Sequence, residues 1–180
     1  GDKFKERALI AANRCGKTYV AISEMVYHLT GKYPDWWEGK RFTHPIKAWE
    51  IGKTSLTTRD ILQKYIVGER YDHGTGLVPR DDIIKMTTKA GVPEAIQDIY
   101  IKHYTDGVND GVSELTFKSY DQGVDSFMGT SIHVCHLDEE PTSPKIYSEC
   151  LMRTMTTKGI IMCTFTPLDG LSETVLSFLP

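Results

Sequence analysis

Apolar residues along the chain fall into short blocks of two kinds. Compact apolar runs bounded by polar or turn residues predict strands at Arg7 to Ala12, Lys47 to Gly52, Ile132 to Leu137 and Ile160 to Phe165. The helical spacing of Val20, Ile22, Met25, Val26 and Leu29 predicts a helix from Tyr19 to Leu29. Further helices are expected at Thr57 to Ile66, with a threonine near its N-cap, and at Lys145 to Met155. Alternation at Ile99 to Tyr104 and at Ser113 to Tyr120 suits two strands. The turn-rich stretch Asp106-Gly107-Val108-Asn109-Asp110-Gly111 between them predicts a β-hairpin. Gly31 to Pro45, broken by Pro34, Gly39 and Pro45, reads as an irregular loop. Its Trp36-Trp37 pair is either an anchor onto the core or a base-stacking platform. Residues 68–94 carry Gly68, Gly74, Gly76, Pro79, Gly91 and Pro93, so loops should dominate there. Strands alternating with helices imply an α/β fold with a mainly parallel sheet, interrupted by the antiparallel hairpin.

Composition narrows this reading a little. A chain of 180 residues is expected to form one domain spanning 1–180. Its net charge of −3 offers no global attraction to nucleic acid or to an anionic membrane, so any DNA contact must come from a local patch. Lys85, Lys89 and Lys102 with His103 and Tyr104 are candidates for one, against the plainer reading of solvated loop and edge-strand charges. No apolar stretch approaches a membrane span, and Gly1-Asp2-Lys3 does not begin a signal peptide. Cys15, Cys135, Cys150 and Cys163 lack C-x-x-C spacing, which argues against a metal cluster or disulfide framework and for a reducing compartment. Cys135 and Cys163 sit in apolar runs and are expected to be buried thiols. The chain starts without methionine and stops at Pro180 within a helix-like pattern, as an excised domain of a longer protein would.

Chemistry enters at Ala11-Ala12-Asn13-Arg14-Cys15-Gly16-Lys17-Thr18, which directly follows the run Ala8-Leu9-Ile10. This is the pattern of a strand entering a phosphate-binding loop with a helix beyond it. Backbone N–H groups converge at such a helix start, and the helix dipole favours an anion there. Lys17 would reach the β- and γ-phosphates of ATP, and the Thr18 hydroxyl would hold Mg²⁺. Ala11 stands where G-x-x-x-x-G-K-[ST] has its first glycine, and Cys15 lies within the loop.

Two later strands end in residues suited to the same reaction. Ile132 to Leu137 runs into Asp138-Glu139-Glu140-Pro141, which puts carboxylates at the strand's C-terminal edge, where open α/β sheets bind ligands. Asp138 would hold the Mg²⁺–water shell, and Glu139 would orient the attacking water. Glu140 reads as a solvated strand-end charge. Ile160 to Phe165 leads into Thr166-Pro167 and should lie beside the acid-bearing strand. Its hydroxyls are either γ-phosphate sensors or ordinary turn residues.

Together these stretches resemble the ATPase domain of bacteriophage large terminases, the motors that package viral DNA into procapsids. The resemblance rests on residues 7–20, on Lys118 to Tyr147 and on Arg153 to Gly170. Ser119-Tyr120-Asp121-Gln122-Gly123 leading through Phe127-Met128-Gly129 to Leu137-Asp138-Glu139-Glu140-Pro141 is especially similar. Thr164-Phe165-Thr166-Pro167 followed by Gly170 occupies the place of the family's coupling motif. Members commonly carry a deviant loop without its first glycine and with Asn-Arg or Gln-Arg inside it, as Ala11 and Asn13-Arg14 do here. The resemblance implies a P-loop NTPase of the RecA-like, additional-strand (ASCE) class, with Asp138 and Glu139 on its Walker B strand. It implies a nucleotide site of Asn13, Arg14, Cys15, Gly16, Lys17, Thr18, Thr164 and Thr166. Glu139, Arg14 and Lys17 would be catalytic, with Mg²⁺ on Thr18 and Asp138. Arg14 would offset charge on the γ-phosphate; its plainer reading is a surface arginine paired with a carboxylate.

Partners implied by the resemblance are double-stranded DNA, other copies of the chain in a ring, the portal protein and the small terminase subunit, all in the host cytoplasm and without a membrane. A neighbouring subunit often supplies an arginine, for which Arg153, Arg80 and Arg59 are candidates. The family's nuclease domain would follow this chain, which alone should not cut DNA. The alternative readings are a RecA-like helicase-type ATPase and a nucleotide-binding switch without turnover.

Overall fold

The computed structural model describes residues 4–166 together with Leu176 and Phe178. Pro167, Gly170 and the helix-like pattern before Pro180 lie outside the described residues. The strands in chain order are β1 (Glu6–Ile10), β2 (Lys47–Gly52), β3 (Gly68–Glu69), β4 (Asp72–His73), β5 (Ile83–Thr88), β6 (Ile96–Thr105), β7 (Val108–Ser119), β8 (Val134–Asp138) and β9 (Ile160–Phe165). Helix α1 spans Lys17–Thr30, α2 Ser55–Thr57, α3 Lys64–Val67 and α4 Pro144–Met155. A seven-stranded sheet has the order β1-β9-β8-β2-β7-β6-β5, while β3 and β4 form a separate small hairpin. The first five strands of that order are mutually parallel, and β6 and β5 extend the sheet antiparallel. β9 is therefore the additional strand between the phosphate-loop strand β1 and the acid-bearing strand β8.

Burial on both faces explains why the central strands read as continuous apolar runs. Successive side chains point to opposite faces. Ala48, Val134, Ile160 and Met162 meet Ile22, Met25, Val26 and Leu29 of α1 on one side. Trp49, Ile51, Cys135, Leu137, Ile161, Cys163 and Phe165 meet Ile146, Tyr147 and Cys150 of α4 on the other. The expected buried thiols Cys135 and Cys163 lie in this second layer, and burial pushes both well above the usual thiol range.

Several expectations needed correction. β1 stops at Ile10, with the Ala11 N–H still bonded to the Phe165 carbonyl. It is a half-exposed edge strand rather than a buried one, since among the described residues it pairs with β9 alone. The helix expected at Thr57 starts at Ser55, because Thr54 and Thr57 form a reciprocal cap there. It passes through π-helical Thr58–Gln63 before ending at Val67. The turn between β6 and β7 needs only Asp106 and Gly107, both at positive φ (50° and 78°), so Val108 to Gly111 continue as strand. β5 lies within 68–94, where the glycines and prolines predict mainly loop. Its side chains do not alternate cleanly, and its pairing with β6 shifts register twice, as irregular edge strands do.

Candidate nucleotide site

The C-terminal ends of the parallel strands share one edge of the sheet, and the loops that leave them converge there. Arg14 (φ 62°) and Gly16 (φ 84°) take left-handed backbone conformations that fold the loop back into the start of α1. No acidic residue occupies the first turn of α1, so the carboxylates that face its N-terminal dipole come from the end of β8. Lys17 is buried, and its ammonium donates to the Thr166 hydroxyl and lies 3.5 Å from Glu139 Oε1. The Thr18 hydroxyl donates to Asp138 Oδ1 at 2.8 Å, across 120 residues of sequence.

β9 links the two loops from between. Thr164 donates to the same Asp138 oxygen at 2.8 Å. The Thr166 N–H donates to Glu139 Oε2 at 3.0 Å, and its hydroxyl lies 2.8 Å from Asn13 Oδ1 and 3.1 Å from Glu139 Oε1. Glu139 itself has φ 62°, an uncommon conformation for a non-glycine residue. Its backbone is clamped on both sides: its N–H donates to the Thr164 carbonyl, and its carbonyl accepts from the Tyr120 hydroxyl at 2.7 Å.

Lys17, Thr18, Asp138 and Glu139 line one open cleft of about 420 Å³, together with Asn13 and Arg14. Arg14 is exposed and has no ion pair or hydrogen bond among the described residues, so the paired-surface-arginine reading is not what the structure shows. Cys15 is exposed on the loop and does not line this cleft. The far wall holds residues that sequence reasoning missed: Lys53, Thr57 and Ile61. The strand-edge rule that flagged Asp138 applies equally to Gly52-Lys53 at the end of β2 and could have found Lys53, whereas Thr57 and Ile61 come from the helical segment after it. Ser119 and Asp121, noted only as part of a resemblance, cap the helix start at Ser55 through the Ser55 hydroxyl and N–H.

A phosphate chain suits the helix start and the Lys17 ammonium. Mg²⁺ suits the Thr18 hydroxyl and Asp138 carboxylate, hard oxygen donors of the kind that hold it beside substrate phosphates and water. Behind Asp138 the polar contacts continue inward. His136 Nε2 lies 2.9 Å from Thr164 Oγ1, and His136 Nδ1 lies 2.5 Å from Glu50 Oε1. Burial pushes the Glu50 carboxyl up, with His136 partly opposing it. Burial alone would lower His136, but the Glu50 charge reverses that and the net direction is upward.

Other sequence candidates separate. Arg59 donates to Asp60 and the Pro93 carbonyl, Arg80 to Asp72, and Arg153 to Glu149 and the Gly129 carbonyl, so each is engaged within its own chain. The candidate basic stripe is not one surface. His103 is fully buried against Asp110, while alternation along β6 turns Lys102 and Tyr104 to the opposite face. Trp37 packs against Tyr27, His28 and Tyr33, which makes it an anchor, whereas Trp36 remains 69% exposed. Among the described residues no helix is long and apolar enough to cross a membrane.

Residues 8–180 match the family described as "Terminase large subunit, T4likevirus-type, N-terminal". The chain is 36% identical over 195 residues to the large terminase subunit of Salmonella phage P22, covering 99% of this chain and 39% of that protein. It thus spans well under half the length of that relative. Among solved structures, the large terminase ATPase domain of Thermus phage P74-26 is similar with a TM-score of 0.58 and 18% identity, over 93% of this chain and 61% of that one. The large terminase of a thermophilic bacteriophage in complex with ADP is similar with a TM-score of 0.52 and 14% identity, over 91% of this chain and 34% of that one. These likenesses extend to the fold, the RecA-like sheet of terminase ATPase domains.

Proposed function

Because this chain belongs to the terminase large-subunit family, we propose that it is the Mg²⁺-dependent ATPase of a genome-packaging motor, hydrolysing ATP to drive double-stranded DNA into a procapsid. The observation that carries the reading is the meeting of Lys17 and Thr18 with Asp138 and Glu139 at one sheet edge. In this reading the α1 N-terminus and Lys17 hold the β- and γ-phosphates. Mg²⁺ on Thr18 and Asp138 would neutralise charge on the same phosphate oxygens. Glu139 accepts a hydrogen bond from the attacking water. The water oxygen bonds to the γ-phosphorus as the bond to the β–γ bridging oxygen breaks, leaving ADP and phosphate, with one water proton kept on the phosphate and the other released to solvent. Arg14, exposed at the cleft and without a partner among the described residues, offsets charge on the γ-phosphoryl oxygens. Thr164 and Thr166 touch both Walker carboxylates, which suits them to transmit the γ-phosphate's presence to β9.

The partners in this reading are DNA, further copies of the chain in a ring, the portal protein and the small subunit, in the host cytoplasm. DNA cleavage is no part of the activity proposed for these 180 residues. The test is steady-state ATP hydrolysis by the purified chain with Mg²⁺ over a range of protein concentrations. Turnover whose specific activity rises with concentration is expected, because the family resemblance implies an arginine supplied by a neighbouring copy; Arg59, Arg80 or Arg153 would have to give up its contacts within the chain to serve. Nucleotide binding without turnover at any concentration, with or without DNA, would favour a switch instead.

A further inference from the structure

Glu50 and His136 lie fully buried beneath the nucleotide cleft, and nothing in the proposed reaction uses them directly. They face each other in register on β2 and β8, on the side of the sheet that α1 covers. Their neighbours on that face, Ala48, Val134 and Met162, are apolar and pack against α1. The face turns polar only over its last residues, where Glu50, His136 and Thr164 lead to Asp138 across three adjacent strands. Glu50 Oε2 has no hydrogen-bond partner among the described residues. Such a pair is a poor way to stabilise a core, since well-packed apolar residues of similar volume often do as well or better.

We propose that Glu50 and His136 are positioning residues that set the Thr164 hydroxyl, and through it the Asp138 carboxylate, for Mg²⁺-nucleotide. This rests on the ATPase reading of the site. A threonine hydroxyl has one hydrogen to donate. With His136 Nε2–H donating to Thr164 Oγ1, that hydrogen is directed to Asp138 Oδ1, which also accepts from Thr18. With one proton between Glu50 Oε1 and Nδ1 and the other on Nε2, the Glu50 contact fixes the ring in this orientation. The Asp138 rotamer is then set before the metal arrives.

The test compares the affinity of a fluorescent ATP analogue with excess Mg²⁺ and with EDTA. The variants are the apolar double Glu50→Leu/His136→Phe, the single Thr164→Val, the triple, and the conservative Glu50→Gln. The double is expected to leave affinity in EDTA within about twofold and to reduce the Mg²⁺-dependent gain about tenfold, the worth of one oriented hydrogen bond to a charged group. Thr164→Val should lose about as much, and the triple no more, since the pair acts through Thr164. Glu50→Gln should keep the gain, because its amide can donate to Nδ1 and leave Nε2–H aimed at Thr164. Equal losses in Mg²⁺ and EDTA, losses that multiply in the triple, or a folded Glu50→Gln variant without the gain would each overturn the proposal. The last arm decides the matter even where the apolar variants do not fold. A parent chain with no Mg²⁺-dependent gain would overturn the ATPase reading as well, whereas a gain that survives in the double variant overturns the positioning role alone.

Discussion

Replacing Glu139 with glutamine should separate nucleotide binding from hydrolysis, and the separation can be sized from the site. Glu139 Oε1 is 3.5 Å from the Lys17 ammonium, the group proposed to take the β- and γ-phosphates. Their attraction is about 1 kcal/mol with water-like screening and about 5 kcal/mol at an effective dielectric of 20. The Glu139 side chain is 34% exposed, so the smaller figure governs. Glutamine keeps the size and can still accept the Thr166 N–H, but it no longer competes for Lys17. Affinity for Mg²⁺–ATP should therefore be unchanged or up to about fivefold tighter. Turnover should fall about 100- to 10,000-fold, the usual worth of a positioned acid–base group, because an amide orients the attacking water poorly. Phosphate release and equilibrium binding of a fluorescent ATP analogue measure the two effects on the same preparation. Turnover within about threefold of the parent would remove Glu139 from the reaction and with it the assignment built on the β8 edge.

Two further predictions concern the scaffold. Gly31 ends α1 at φ 70°, and a Cβ there would sit 1.9 Å from the Tyr104 carbonyl oxygen, whereas at Gly107 (φ 78°) it would meet nothing within 4 Å. Gly31→Ala should cost roughly 2–5 kcal/mol from left-handed strain plus overpacking, and Gly107→Ala only about 1 kcal/mol, by urea unfolding followed through tryptophan fluorescence; equal costs would refute the packing argument. Burial pushes the Tyr33 phenol up to about 12, where its hydroxyl accepts the Phe42 N–H and bonds His28. A raised pKa favours the neutral form in the fold, so this contribution is complete below about pH 10 and is lost as pH rises through about 12. The stability gap between parent and Tyr33→Phe should narrow across that window, and a constant gap would contradict it.

What could be read in the sequence follows from how physical signals are distributed along it. β2 and β9 match their predicted bounds because sheet burial on both faces makes them mostly apolar runs, broken only by Glu50 in β2 and Thr164 in β9. The candidate site was legible where a few consecutive residues carry the pattern, as at the helix start Lys17-Thr18 and the strand end Asp138-Glu139, which the fold brings together. β5 was missed because an edge strand buries too little to impose alternation, and its flanking Pro79, Gly91 and Pro93 outweighed Ile83 to Thr88. The helix start at Ser55 was misplaced because half of what caps it, Asp121, arrives from 66 residues away. The basic stripe failed differently: adjacent residues on a strand face opposite ways, so nearness in sequence along Lys102-His103-Tyr104 does not make a common surface.

Glu50 shows why the rest of the site was beyond a strand-by-strand reading. Within Lys47 to Gly52 it is one acid in an apolar run, and His136 is one imidazole in another. Each alone is an ordinary satisfied core residue. Their meaning comes from register, since the parallel pairing sets Glu50 opposite His136 and Asp138 opposite Thr164. A shift of one residue in either pairing would turn one partner to the α4 face and break the line of contacts. Strand order completes the placement. β9 separates the phosphate loop from the acid-bearing strand, so its terminal threonines are the groups that can touch Asn13 and Lys17 on one side and Asp138 and Glu139 on the other. A change in the phosphates at that edge would therefore act first on Thr164 and Thr166, and on Glu50 through His136. In the proposed reading this would connect β2, whose end lines the cleft, to the bound nucleotide.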